Sequence, residues 1–499
     1  MPEITTDKAL ESLLSSVRLK SDSKSFVPMI RDNFKEVKDQ VSAEDRFVSS
    51  LAALMYNLDA EQAGKKFEKG KVLDLLSQVD ELINVQMNEI LHNESFQKVE
   101  AVWRGLEDLV QHTNFRANIS IDILDVDKDE LYQDFENNSS NVFGGALFEK
   151  IYIKEYDQYG GRPFGAMIGQ YEFENTPRDL FWLRNMAKVA NAAHTPFVGA
   201  VSPSFFVPGV SDVNEIAAIK DLDGLLNHPR FGKWREFRNT DEAAYVGLTF
   251  PRYVLRLPWH PDTNPCVRLH FTEEAKGDSK KYLWGNTAIL FARNLVKSFE
   301  GSGWCQYIRG PKGGGMINGL PVDTFNLRGQ DEIRPPVEVT IPDYREFEFA
   351  RGGFIPLVYR KDSADACFFS AQSAKAPKKF KDPKDSENSQ LVCNLAYTFS
   401  ITRIAHYVKS IMRDNIGSSA DATYIQRVLD GWIGGYVTQV SNPDDLTLRV
   451  YPFKASTVEV NSRPGEIGWY DCTVAVLPHL QFEGMNVELR LESRLGSAA

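Results

Sequence analysis

Three sets of residues in this chain could do chemistry by type, and their spacing decides whether they do. Gly310-Pro-Lys-Gly-Gly-Gly315 has the composition of a phosphate-cradling loop. Such a loop needs Gly-x-x-x-x-Gly-Lys-Ser/Thr between a strand and a helix, so that successive N–H groups surround the phosphate. Here Lys312 precedes the glycines, no Ser or Thr follows for a metal, and Ile317-Asn-Gly-Leu-Pro321 opposes a helix. A tightly turned structural loop is expected, with phosphate binding as the competing enzyme reading. The histidines are His92, His112, His194, His228, His260, His270, His406 and His479. No two stand four apart as on a zinc helix, and neither HExxH nor a Gly-x-Ser-x-Gly elbow occurs. Cys266, Cys305, Cys367, Cys393 and Cys472 are scattered, odd in number and not in CxxC pairs. That pattern opposes a zinc site and a disulfide framework and points to a reducing compartment. No catalytic group, cofactor or metal is expected.

Two other patterns suit contact rather than catalysis. Arg403, His406, Lys409 and Arg413 recur at helical spacing as a basic stripe, readable as a solvated face or as a docking face for an acidic surface. At the chain end, Val487, Leu489 and Leu491 alternate with Glu488, Arg490 and Glu492. Period two is the mark of a strand with one buried face, able to finish its own sheet or to pair with a neighbour's edge.

The elements that must position these residues read as an α+β chain of three parts. Residues 1–115 are helical: Phe26, Ile30 and Phe34, then Phe47, Leu51 and Leu54, then Val72 to Ile83 keep helical spacing. Residues 116–375 form a central α/β domain. Ile119, Ile121 and Ile123 alternate as a strand, a helix starts near Lys128, and Phe164–Tyr171 and Phe197–Val201 are strands around a helix opened by Pro177. That is a βαβ-like unit. Glycine- and proline-rich turns follow to residue 390, and the basic loop Lys375–Lys384 marks a boundary.

Residues 376–499 form a C-terminal domain of two helices on a small antiparallel sheet. Ile401, Ile404, Ala405, Val408, Ile411 and Met412 make the apolar stripe of the first helix, which Gly417 suits as terminator. Ala422 to Ile433 make the second helix, stopped by Gly434-Gly435, and strands are expected at Thr447–Tyr451, Thr457–Val460 and Trp469–Leu477.

With 499 residues, 42% hydrophobic and 25% charged, the composition is that of a multidomain globular protein. A net charge of −11 disfavours a dedicated nucleic-acid binder. No apolar run reaches the ~20 residues of a membrane helix, and no signal peptide is expected at the start of the sequence.

Many short runs, in order, resemble the large subunit of the bacterial type VI secretion contractile sheath (the TssC/VipB family), with an end similar to phage tail sheaths. They include Trp103-Arg-Gly-Leu106, Ala193-His-Thr-Pro-Phe197, Tyr282-Leu-Trp-Gly-Asn286, Ala405-His-Tyr-Val-Lys409, Arg413-Asp-Asn-Ile-Gly417 and Gln481-Phe-Glu-Gly-Met-Asn-Val-Glu-Leu-Arg-Leu491. Taken by itself, Trp103 would be a core residue. Two positions depart from the pattern: Gln170, where an acid is expected, and Pro258-Trp259-His260, where an aromatic–glycine pair is usual.

The resemblance implies a non-catalytic sheath subunit. It implies a heterodimer with a small sheath subunit, with Phe26, Ile30, Phe34, Phe47, Leu51 and Leu54 at that interface, and contact with neighbouring copies through Val487–Glu492. It further implies an inner tube, for which the basic stripe is the candidate docking face, and a baseplate. A recycling AAA+ unfoldase would act mainly through the small subunit. The location implied is the bacterial cytoplasm, with no membrane insertion. The alternatives are a phage-tail or other contractile-injection sheath and a phosphate-binding enzyme.

Overall fold

The computed structural model describes residues 69–209, 213–267, 269–275, 278–327, 330–416, 421–440, 442–464 and 470–479. The chain divides into Met1–Val79 and Asp80–Ala499, and the described residues of the larger unit form five hydrophobic clusters, three of them large.

Helix α1, Lys69–Leu91, is followed by α2, Glu94–Gln111, whose cap Asn93 accepts the Ser95 and Phe96 N–H groups. Helix α3, Lys128–Asn137, starts on a capping box in which Asp127 and Glu130 satisfy each other's backbone N–H. Between α2 and α3 the expected Ile119–Ile123 strand is not a sheet member among the described residues. Alternation alone cannot make a strand, because the ladder needs a partner edge within hydrogen-bonding reach, and no described strand is bonded to this run. A π-helical segment, Glu149–Asp157, comes next.

The central sheet begins with β1, Met167–Phe173, then α4, Pro177–Ala192, and β2, Phe197–Val201. Thr176 caps α4 and Pro177 sits in its first turn, where a missing N–H costs nothing. Strand β3, Val246–Phe250, and helix α5, Thr287–Ser302, follow; α5 ends on Gly303 at φ 75°, a left-handed position that suits glycine. Then come β4, Met316–Ile317, α6, Asp343–Arg351, β5, Ile355–Tyr359, and β6, Ala366–Phe368. The six-stranded sheet runs β1-β2-β3-β5-β6-β4. Its first four strands are parallel, and β6 lies antiparallel to both β5 and β4.

Alternation along the strands sorts side chains to two faces. Phe197 and Val201 of β2 and Val246, Leu248 and Phe250 of β3 join Leu183, Met186 and Ala190 of α4 in one core. Val198, Ile355 and Leu357 point to the other face, where Leu290, Phe291 and Leu295 of α5 cover them. The expected βαβ unit is present.

The C-terminal part contains α7, Pro383–Val392, α8, Leu395–Asp414, α9, Ala422–Gly434, α10, Asp445–Val450, β7, Phe453–Ser462, and β8, Tyr470–Pro478. Thr447–Tyr451, expected as a strand, lies largely in α10. Asp444 caps it by accepting the Thr447 N–H at 2.9 Å, so a helix-start signal overrides the β-leaning Thr-Leu-Arg-Val run. The Thr457–Val460 strand lies inside β7, and β8 contains the described part of the Trp469–Leu477 strand. Helix α8 ends at Asp414 with Asn415 as its cap, and Gly417 lies outside the described residues.

Helix α8 belongs to two cores. Leu395, Ala396 and Phe399 pack against the central sheet. Ile404 packs with α9 and β7, where Val408, Ile411 and Met412 add to it. Each fully buried Leu, Phe or Ile contributes roughly 1.5–3 kcal/mol. The helix is therefore held firmly at both ends and ties the C-terminal part to the central sheet. Gly247 of β3 lets α8 approach the sheet, since a Cβ there would lie 2.6 Å from Leu395 Cδ1. Ile401, counted in the apolar stripe, is 47% exposed.

Candidate assembly surfaces and the glycine loop

The glycine loop closes on itself. Gly310 N–H donates to the Phe368 carbonyl at 2.7 Å, and Gly315 N–H donates to the Gly310 carbonyl at 2.9 Å. A Cβ on Gly314, at φ 89°, would lie 2.2 Å from the Tyr307 oxygen, and one on Gly315 would lie 2.4 Å from the Phe368 oxygen. The glycines thus permit backbone to touch backbone, and these two N–H groups already have partners. Arg449 of α10 donates to the Lys312 carbonyl at 3.0 Å, so the loop also anchors the C-terminal part. The loop is built as a structural turn, which removes the feature behind the phosphate reading.

No group of three or more metal-ligating side chains comes together among the described residues. Cys367 and Cys393 are buried and Cys305 is half-buried, and the low-dielectric interior raises their thiols to about 12, 11 and 11 respectively. They are protonated and inert at neutral pH.

The basic stripe is engaged within the chain, where the sequence suggested a solvated or docking face. Lys409 Nζ donates to Asp157 Oδ1 at 2.6 Å and lies 3.8 Å from the Tyr156 ring centroid. Arg413 donates to the carbonyls of Tyr156 and Asp157 at 3.1 Å each and of Gln158 at 2.9 Å. His406 Nε2 pairs with the Ala193 carbonyl at 3.0 Å, and its ring lies 5.3 Å from Tyr156. Burial is the main reason its imidazole falls to about 4. Arg403 stacks over Phe299 at 4.5 Å and donates to the Tyr407 hydroxyl at 2.8 Å.

The physical reason is the π-helical segment, whose C-terminal carbonyls and Asp157 need cationic partners, and α8 supplies them. Sequence reading missed that segment. Its only trace was the Tyr152/Tyr156 pair, one helical turn apart and followed by Asp157.

The family-like Trp103-Arg-Gly-Leu106 run divides its work. Gly105 admits Gln170, whose Oε1 would lie 2.7 Å from a Cβ there and whose Nε2 donates to the Val102 carbonyl at 3.1 Å. The amide at position 170 thus joins β1 to α2. Trp103 is 64% exposed, so it is a surface residue rather than the core residue its type suggests. Arg104 joins a buried ion cluster through Glu100, which Arg256 also binds at 2.7 Å while reaching Glu273 at 2.6 Å. The departing Trp259 lies within this cluster, with Arg256 5.6 Å and Arg104 6.0 Å from its ring centroid.

The hairpin β7–β8 pairs from Phe453–Pro478 to Ser462–Tyr470 and packs through Phe453, Val458 and Val460 on α9. Val487–Glu492 and the interface set Phe26, Ile30, Phe34, Phe47, Leu51 and Leu54 lie outside the described residues. No helix among the described residues is long and apolar enough to cross a membrane.

Residues 74–375 match the VipB family, described as EvpB/VC_A0108, tail sheath N-terminal domain. Residues 384–495 match VipB_2, described as EvpB/VC_A0108, tail sheath gpW/gp25-like domain. The type VI secretion system sheath protein TssC1 of Pseudomonas aeruginosa is 35% identical over 506 residues, with 100% of this chain and 99% of that protein covered. Two solved structures lie further away. A chain of the anti-feeding prophage (AFP) baseplate is 10% identical with a TM-score of 0.34, covering 63% of this chain and 66% of that one. A chain of the AFP helical sheath in its contracted state is 11% identical with a TM-score of 0.31, covering 62% and 67%. With two family matches end to end and a relative aligned over its whole length, this chain belongs to the VipB/TssC family of type VI secretion contractile sheath proteins, whose members are structural subunits.

Proposed function

We propose that this chain is the large subunit of a two-chain sheath protomer, joined to a small sheath subunit through its N-terminal helices and to neighbouring copies through Val487–Glu492. Protomers stack in helical rings around an inner tube and attach to a baseplate, within the bacterial cytoplasm. An ATP-driven AAA+ unfoldase recycles the contracted form, gripping mainly the small subunit.

The observation that carries this reading is the β7–β8 hairpin. Among the described residues its two strands pair only with each other, apart from a single bridge between Val437 and Phe453. Unpaired strand edges favour addition of further strands. The alternating Val487–Glu492 run begins nine positions after Pro478, the last residue of β8. A donated strand of this length makes about four to six backbone hydrogen bonds, each contributing roughly 0.5–1.5 kcal/mol net. Burying Val487, Leu489 and Leu491 adds roughly 1.5–3 kcal/mol apiece.

One such link is modest, and a lattice of them is strong. A strand on a short tether also lets rigid bodies rotate while they stay linked, and α8, held at both ends, makes the donor rigid. Contraction then requires a second packing that buries more surface, with the baseplate holding the first.

Replacing both Leu489 and Leu491 by Asp is expected to leave the two-chain protomer soluble while abolishing sheath tubes in negative-stain electron microscopy. Long tubes from this variant would overturn strand donation. Deleting residues 1–60 is expected to abolish co-purification with the small subunit, and normal co-purification would remove that assignment.

A further inference from the structure

A trench of about 1920 Å³ is lined by α2, residues 118–129, the start of β1, α5 and α8. Small-molecule pockets hold roughly 300–1,000 Å³, so this one is of polypeptide size. Ile289, Leu295 and Phe399 give it a buried apolar lining. At its rim Trp103 is 64% and Ile123 66% exposed, which is a large apolar surface to leave in water.

Residues 119–124 run along the trench with strand-like alternation and no strand partner. Their backbone N–H and C=O groups make no hydrogen bond among the described residues. Ile121 anchors them on the cluster of Leu109, Ile289 and Ala292. Among the described residues strand β1, the end strand of the sheet, pairs with β2 alone and has no strand on its other edge. Two strand-like edges therefore line one apolar trench. Asp122 and Asp125 are exposed on the trench wall and have no ion pair among the described residues.

We propose that this trench is a strand-addition site. An extended segment of a second, different chain lies in it and pairs its backbone with residues 119–124. Alternate apolar side chains of that segment cover Trp103 and Ile123, and lysine or arginine side chains face Asp122 and Asp125. A second copy is a poorer occupant, because its net charge of −11 opposes an acidic wall. This deepens the two-chain reading above, on which it rests, by naming a surface where the small subunit docks.

The experiment uses the full-length chain co-expressed with the small subunit. Hydrogen exchange of amides 119–124 is expected to slow in the complex by at least about tenfold relative to this chain alone. A photo-cross-linking residue in place of Ile123 is expected to join the small subunit. The double variant Asp122→Lys with Asp125→Lys, both exposed, is expected to weaken the complex by about tenfold or more, chiefly through like-charge contact.

Cross-linking to a second copy or to this chain's own residues 1–68 overturns the proposal. So does a complex that co-purifies normally while amides 119–124 exchange unchanged, although the two-chain reading then stands. Failure of the unaltered chains to co-purify sinks both.

Discussion

Replacing His406 by Gln tests the clasp between α8 and the π-helical segment. His406 pairs with the Ala193 carbonyl and faces His194, Tyr156 and Arg403. Burial lowers its imidazole from 6.5 to about 4, so it is neutral in the folded chain at every pH above that. The unfolded chain binds this proton below about 6.5, hence stability is fully present above that pH and is lost as pH falls toward 4. At about 1.36 kcal/mol per pH unit, the loss between pH 7.5 and pH 5 is roughly 2 kcal/mol, approaching about 3 kcal/mol near pH 4.

His194 is lowered for the same reason, burial first and Lys409 second, and adds to the slope in the same direction. Glutamine keeps a donor for the Ala193 carbonyl and removes the titration. Urea denaturation at pH 7.5, 6 and 5 is expected to show a flatter pH dependence in His406→Gln than in the natural chain, by roughly 2 kcal/mol across that range. Parallel profiles, or a natural chain that gains stability on acidification, would refute the reasoning.

Arg256→Met is expected to destabilise by about 3–5 kcal/mol, because Glu100 and Glu273 are left facing each other in a nearly dry site. A thermal melt reads it, and adding Glu273→Gln should recover part of the loss. Gly247→Ala is expected to cost about 1–3 kcal/mol by pushing Leu395 off the sheet. Combined with Leu395→Ala it should cost less than the two single changes together, and strict additivity in a double-mutant cycle would deny the contact. Gly314→Ala is expected to lower the melting temperature while Lys312→Ala leaves it unchanged, since the alanine methyl would meet the Tyr307 carbonyl. ATP should protect neither variant nor the natural chain, and protection that vanished with Lys312→Ala would restore the phosphate reading.

Local signals carried much of this protein. Pro177 marked the start of α4, the helix expected from about Lys128 is α3, and the short apolar run Phe197–Val201 marked a buried strand, because helix starts and apolar runs act within a few residues. The family too was legible, since many weak runs in a fixed order are jointly specific.

Tertiary structure alone decided what those pieces face. Ile119–Ile123 has a strand's pattern and no strand partner among the described residues, a matter settled by which edges come near. Trp103 has a core residue's type and lies at the surface. The stripe Arg403–Arg413 looked free because charge on a helix face is usually solvated. It is engaged because the carbonyls of Tyr156, Asp157 and Gln158, some 250 residues away in sequence, end a helix beside it. Periodicity says which face of an element is apolar or charged, and only the packed chain says what that face meets.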